Sequence, residues 1–268
     1  MRLGCIDYLN CYPFYYHMLE KAPLPGTELF PRLPSELNRM MAAGGLDLSP
    51  VSAGAWPDIA GRAALLPDFC ISSEGAVGSV LLISRRPVEE LGGKRLALTS
   101  ASRTSVVLLK ALLKKFFSVE PVYETAGPQP SLGDCDAALL IGDHALTAEA
   151  AEAPFRYDLG ELWPEKTGHP VVFAVFAADK AAAAAGPGAF KAVTGSYAAS
   201  LACLASERPA LLAAASRRYP AARCDVDSYI AGLRYVFTPA RKEAFKFYLD
   251  TAAELGLLGR SEPEYLEL

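Results

Sequence analysis

Basic charge is in deficit: 26 Lys and Arg stand against 30 Asp and Glu, a formal net charge of −4 at pH 7. A nucleic-acid binder normally carries a basic face to offset phosphate charge, so that class is set aside. Arg85-Arg86 and Arg217-Arg218 are too short to change this and read as solvated surface. Histidine is scarce, three in 268 residues, and the six cysteines form no C-x-x-C pair and no cluster with the histidines. That spacing all but excludes zinc, and neither a metal nor another cofactor is expected. No window approaches the ~20 apolar residues of a membrane span. P-loop, dinucleotide fingerprint, nucleophile elbow and Ser-His-Asp order are all missing. The chain reaches Asp7 before any apolar stretch forms, so no export signal is read there and a cytoplasmic protein with reduced thiols is expected.

What is present is a globular composition. A hydrophobic share of 51% with 21% charged residues excludes disorder as the overall state. The length suits one large domain or two compact ones with a sizeable core. Strand-like runs at 2–7, 28–32, 46–51, 66–72 and 79–84 alternate with helical segments from Pro13 and over 35–43. A second unit starts near Arg85, with strands at 94–99, 121–125 and 136–141 and a helix over 103–117. Val171–Ala177 reads as a strand that carries the chain back. From Ala181 the sequence turns Ala-rich and helical, with one stripe of Phe190, Val193, Tyr197, Leu201 and Leu204. Thr238-Pro239 supplies an N-cap and first-turn proline for a last helix ending near Gly256.

This alternation predicts an α/β fold of two lobes. The boundaries read as 1–84 with 178–268 for lobe 1 and 85–177 for lobe 2, with 79–84 and 171–177 as crossing strands. Ligands of such folds bind outside the carboxyl ends of the strands, between the lobes. Four turns at those ends stand out: Tyr8-Leu9-Asn10, Gly75-Ala76-Val77-Gly78-Ser79, Ser100 to Ser105, and Ile141-Gly142-Asp143. The 100–105 turn opens a helix, so free backbone N–H groups and hydroxyls there suit a carboxylate or phosphate. Small residues at 75–79 let a ligand approach the backbone. Each turn has a plainer reading. Ser102, Thr104 and Ser105 are ordinary capping types, Asn10 an ordinary turn residue, and Asp143 a cap for its own helix. His169, before Pro170 in a turn, is the one histidine placed to touch a ligand. The residues alone stop at a two-lobed α/β protein with an anion-friendly cleft.

An ordered set of segments goes further. It runs Tyr8-Leu9-Asn10 with Pro13, Gly45-Leu46-Asp47-Leu48-Ser49-Pro50-Val51-Ser52, Leu66-Pro67-Asp68-Phe69-Cys70-Ile71-Ser72-Ser73 and Gly75-x-Val77-Gly78-Ser79-Val80. It continues through Leu98-Thr99-x-x-Ser102-x-Thr104-Ser105, Ala138-Leu139-Leu140-Ile141-Gly142-Asp143-x-Ala145-Leu146, Asp158-Leu159-Gly160-x-x-Trp163 and Thr167-Gly168-x-Pro170. Together these resemble the menaquinone-biosynthetic chorismate dehydratases of the futalosine route, up to about Ala177. His169-Pro170-Val171 departs from the Leu-Pro-Phe of that pattern. The resemblance implies a type II periplasmic-binding-protein-like fold with a cleft between the lobes. It implies conversion of chorismate to 3-[(1-carboxyvinyl)oxy]benzoate and water, a carbon–oxygen lyase reaction on a small molecule without cofactor. Asn10 and Ser79 fall beside the reacting part of the substrate. Ser52, Gly78, Thr104, Ser105, Gly142, Asp143 and His169 would complete the binding site, with Thr104 and Ser105 holding one carboxylate. Two rivals share the fold: 1,4-dihydroxy-6-naphthoate synthase of the same pathway, and a solute receptor for a small carboxylate. The oligomeric state is not legible.

Overall fold

The protein is described here by a computed structural model covering residues 1–147 and 153–267. Its first strand, β1 (Arg2–Ile6), is buried along all but its first residue and runs through a single turn into α1 (Tyr12–Tyr16). Pro13 stands in that helix's first turn, where its missing N–H costs nothing. Then follow β2 (Glu28–Arg32), α2 (Pro34–Ala42), β3 (Leu48–Ser52), α3 (Trp56–Ile59) and the long β4 (Ala63–Ser73). The middle of the chain carries β5 (Val80–Ser84), β6 (Arg95–Leu98), α4 (Arg103–Leu112), β7 (Val122–Thr125), β8 (Ala137–Ile141), α5 (Gly142–Thr147), β9 (Phe155–Asp158) and α6 (Leu159–Thr167). Last come β10 (Val171–Asp179), α7 (Lys180–Ala185), α8 (Pro187–Ser206), α9 (Arg208–Arg218), α10 (Val226–Gly232), β11 (Leu233–Val236) and α11 (Pro239–Glu254).

The strands form two sheets, one per lobe. The first has the order β11-β4-β10-β3-β1-β2, the second β7-β6-β8-β5-β9. In the first, β1 runs parallel to β2 and β3, while β10 lies antiparallel between β3 and β4. In the second, β6 is parallel to β7 and β8, while β5 lies antiparallel between β8 and β9. Each sheet thus has one reversed strand in its interior. Those two strands were expected to cross between the lobes, and here the structure corrects the reading. Val80 to Ser84 pair with Ile141 to Ala137 inside the second sheet, and Val175 pairs with both Val51 and Cys70 inside the first. The chain therefore changes sheets one strand earlier on each pass, at 74–79 and at 168–170. An apolar run buried on both faces marks an interior strand but does not say of which sheet.

The first lobe is closed by the helical third. Phe14 of α1 lies 4.6 Å from Phe176 of β10 and 5.4 Å from Tyr197 of α8, ring centre to ring centre. Of the stripe on α8, Phe190, Val193 and Tyr197 are buried, while Leu201 and Leu204 are only half-buried. Thr238 caps α11 as its sequence predicts, accepting from the Arg241 amide (3.4 Å). β9, α6 and β11 are not foreseen. β9 and β11 are four residues each and edge strands, too short for a period to show. Among the described residues no helix is long and apolar enough to cross a membrane.

Candidate functional site

The carboxyl ends of both sheets meet around one cavity of about 530 Å³, counting the space continuous with solvent. The turn after β1 contributes Tyr8 and Asn10, and β3 contributes its last residue, Ser52. The crossing after β4 contributes Ser79, the start of α4 contributes Ser102 and Ser105, and the end of β8 leads to Gly142. Phe173, Ile6, Ile71 and Val77 are among the apolar walls. No Arg, Lys, Asp, Glu or His is among the described residues that line it.

Ser79 is the most firmly held of these. Its carbonyl accepts from the Gly142 amide (2.8 Å), which ties the crossing to the second sheet. Just before it, the Val77 and Gly78 amides donate to Asp158 Oδ2 (2.9 and 2.6 Å), while Gly160 N donates to Oδ1 (2.8 Å). Asp158 caps α6 and clamps the crossing with one carboxylate. Its pKa is raised by burial, an effect these N–H donors partly offset. The Ser79 hydroxyl is 3.0 Å from the phenol of Tyr229 on α10, and both side chains are buried.

Asn10 differs in having an atom to spare. Its Oδ1 is buried with no hydrogen-bond partner among the described residues. A buried acceptor left open beside a cavity is what a bound donor would complete. Gly142 adopts φ +58°, and a Cβ there would stand 2.9 Å from the ring of Tyr8. Glycine lets Tyr8 close over the second lobe and wall the cavity. Burial, then the charge of Asp143, pushes the Tyr8 phenol up to about 12. Ser52 donates its amide to Asn38 Oδ1 (2.9 Å). Ser102 caps α4, its Oγ accepting from Ser105 N (3.3 Å) and lying 3.1 Å from Ser105 Oγ.

Of the expected site residues, the structure therefore brings Asn10, Ser52, Ser79, Ser105 and Gly142 together. Four others stand off the cavity wall. Thr104 donates its hydroxyl to the Phe173 carbonyl (2.9 Å) and accepts from Gly54 N (3.1 Å), so its proton is committed to joining the lobes. Gly78 is exposed, with φ +70°, and acts through its amide on Asp158. Asp143 accepts a long bond from Leu9 N (3.5 Å) across the lobes, and its pKa is raised, chiefly by burial. His169 stacks on Phe247 of α11 at 4.2 Å. Its place before Pro170 suggested access to a ligand, but the ring is taken up by packing. Tyr8, Ser102 and Phe173 belong to the cavity without having been named for it. Tyr8 and Ser102 lie in turns already singled out, whereas nothing in the sequence near Tyr229 points to Ser79.

Known proteins resemble this chain in sequence and in fold. A family model described as menaquinone biosynthesis matches residues 1–254. Chorismate dehydratase from Thermus thermophilus is 38% identical over 192 residues, covering 65% of this chain and 68% of that protein. The 1,4-dihydroxy-6-naphtoate synthase of the same organism is 30% identical over 138 residues, 50% of this chain and 49% of its own. Among solved structures, a protein from Archaeoglobus fulgidus superposes with a TM-score of 0.75 at 17% identity, over 96% of this chain and 98% of its own. The periplasmic aliphatic sulphonate binding protein SsuA from Escherichia coli gives 0.65 at 16%, over 100% and 94%. At such identities these structures establish the fold alone, a two-lobed periplasmic-binding-protein-like fold.

Proposed function

Because this chain belongs to the menaquinone-biosynthesis family, we propose that it is a chorismate dehydratase, a lyase forming 3-[(1-carboxyvinyl)oxy]benzoate and water. The observation that carries the mechanism is the neutrality of the cavity wall. The reaction needs a proton acceptor, and the described lining holds no carboxylate, histidine or lysine. The acceptor is then the substrate's own enolpyruvyl carboxylate. Neutral donors lower the basicity of that carboxylate less than a paired cation would. It takes the ring proton from the carbon beside the hydroxyl-bearing one. The electron pair delocalises toward the ring carboxylate, and the C–O bond to the hydroxyl then breaks. Hydroxide leaves, water forms with the released proton, and the ring becomes aromatic.

The protein's part is orientation and stabilisation of developing charge. Asn10 and Ser79 are assigned to the reacting end, with Ser52, Ser105 and the Gly142 turn around the rest of the substrate. The reading also puts the protein with its substrate in the cytoplasm, which cell fractionation checks. Incubating purified protein with chorismate, without additives, tests the activity: an aromatic product lighter by one water is expected. Tight binding of chorismate with no product would replace this reading with a solute receptor. Formation of 1,4-dihydroxy-6-naphthoate by an extract supplemented with the protein, with chorismate left unchanged by the protein alone, would favour the naphthoate synthase.

A further inference from the structure

We propose that Tyr229 is a positioning residue that fixes Ser79 as a hydrogen-bond donor into the cavity. The inference deepens the dehydratase reading and rests on it for its kinetic consequence. The Tyr229 phenol is buried, and its single hydrogen-bond partner among the described residues is Ser79 Oγ at 3.0 Å. A phenol carries one proton. If Ser79 donated to Tyr229, the phenol proton would be stranded in the core without an acceptor, which buried polar groups avoid. So the tyrosine donates and the serine accepts. Burial also pushes the Tyr229 pKa up, which keeps that proton in place at any working pH.

The consequence falls on the other side of the serine. A hydroxyl has one proton and two lone pairs, and one lone pair is now occupied. No second protein partner of Ser79 Oγ is present among the described residues, and Ser79 lines the cavity. Its own proton is left to point at whatever the cavity holds. An anionic oxygen needs a donor, and a serine free to rotate would present lone pairs for part of the time. Tyr229 removes that freedom. α10 thus acts on the reaction from outside the cavity, through one hydroxyl.

The test is a two-by-two set of variants measured with chorismate: wild type, Tyr229→Phe, Ser79→Ala and the double variant. Tyr229→Phe should lower kcat about 10-fold with KM within about twofold. In the Ser79→Ala background the same change should cost less than about twofold, because there is no hydroxyl left to orient. Equal losses in both backgrounds would mean that Tyr229 only supports the fold and would overturn the proposal, as would unchanged kcat in Tyr229→Phe. Neutron diffraction from crystals of the wild-type protein in D2O reads the same point without substrate. A deuteron bonded to Tyr229 Oη and aimed at Ser79 is expected; one bonded to Ser79 and aimed at Tyr229 overturns the inference. If the wild type leaves chorismate unchanged, the functional reading fails by itself and the neutron map still decides the direction of the bond.

Discussion

Two turns of this molecule look alike in sequence and behave differently in structure. Tyr8 to Cys11 leads from β1 into α1, and Ser100 to Thr104 leads from β6 into α4. Both follow a strand end, both are rich in polar groups, and both reach toward the cleft. In the first, Asn10 keeps a buried oxygen without a partner among the described residues. In the second, Thr104 bonds to both Gly54 and Phe173, and Ser102 and Ser105 bond to each other. Residue type therefore separates nothing here. What distinguishes a group available to a ligand is which hydrogen bonds the protein has left unmade.

The largest expected effect strikes the open side of this comparison. Asn10→Ala should lower chorismate turnover by about 10²-fold or more, the scale of losing one preorganised group, with KM moving far less. Steady-state kinetics decide it, and normal kcat would move Asn10 back to the class of plain turn residues. Next comes the clamp beneath Ser79. Asp158→Ala strands three backbone N–H groups and loosens the crossing, so turnover should fall about 10-fold, together with a lower melting temperature. An unaltered kcat in a properly folded variant would show that Ser79 is held by Gly142 and Tyr229 alone.

Thr104→Val sharpens the closed side. It removes a donor and an acceptor that link the lobes and should destabilise the protein by about 1–3 kcal/mol, read by denaturant titration, with turnover per folded molecule nearly kept. A large rise in KM at unchanged stability would instead return Thr104 to the binding site. The smallest effect belongs to Asp143. Its folded pKa is raised by burial, so whatever stability it lends is fully present below the ordinary carboxylate range and is lost as pH rises through the folded value. Asp143→Asn should therefore melt higher than wild type at pH 7, by about 1–3 °C. The gap should close as pH falls toward 4, and thermal melts across that range check the sign.

Much of this was legible because short-range chemistry wrote it. The strand at Arg2, the cap at Thr238 and the helix opening at Arg103 follow from local pattern and capping, and the structure has all three. Cavity membership of Asn10, Ser79 and Ser105 followed from strand ends and from an ordered family resemblance. What escaped depends on contacts distant in the chain. Tyr229 meets Ser79 across 150 positions. Thr104 meets Phe173 across 69 and so turns its hydroxyl away from any ligand. His169 is captured by Phe247, an aromatic ring on the last helix. No window of sequence contains both members of such a pair.

The reversed strand inside each sheet also bears on how the chain emerges during synthesis. Every strand of the second sheet lies between Val80 and Asp158, so that sheet is complete once those residues are out. The first sheet is interrupted. β3 and β4 are made early but have no partner in each other; the strand that joins them begins only at Val171. Until then two buried-type strands present unpaired edges, the usual nucleus for association between chains. A chain of which only the residues before Val171 have emerged holds one finished half and one with its central slat missing. Slow emergence of residues 158–171 would thus endanger yield without altering a single native contact.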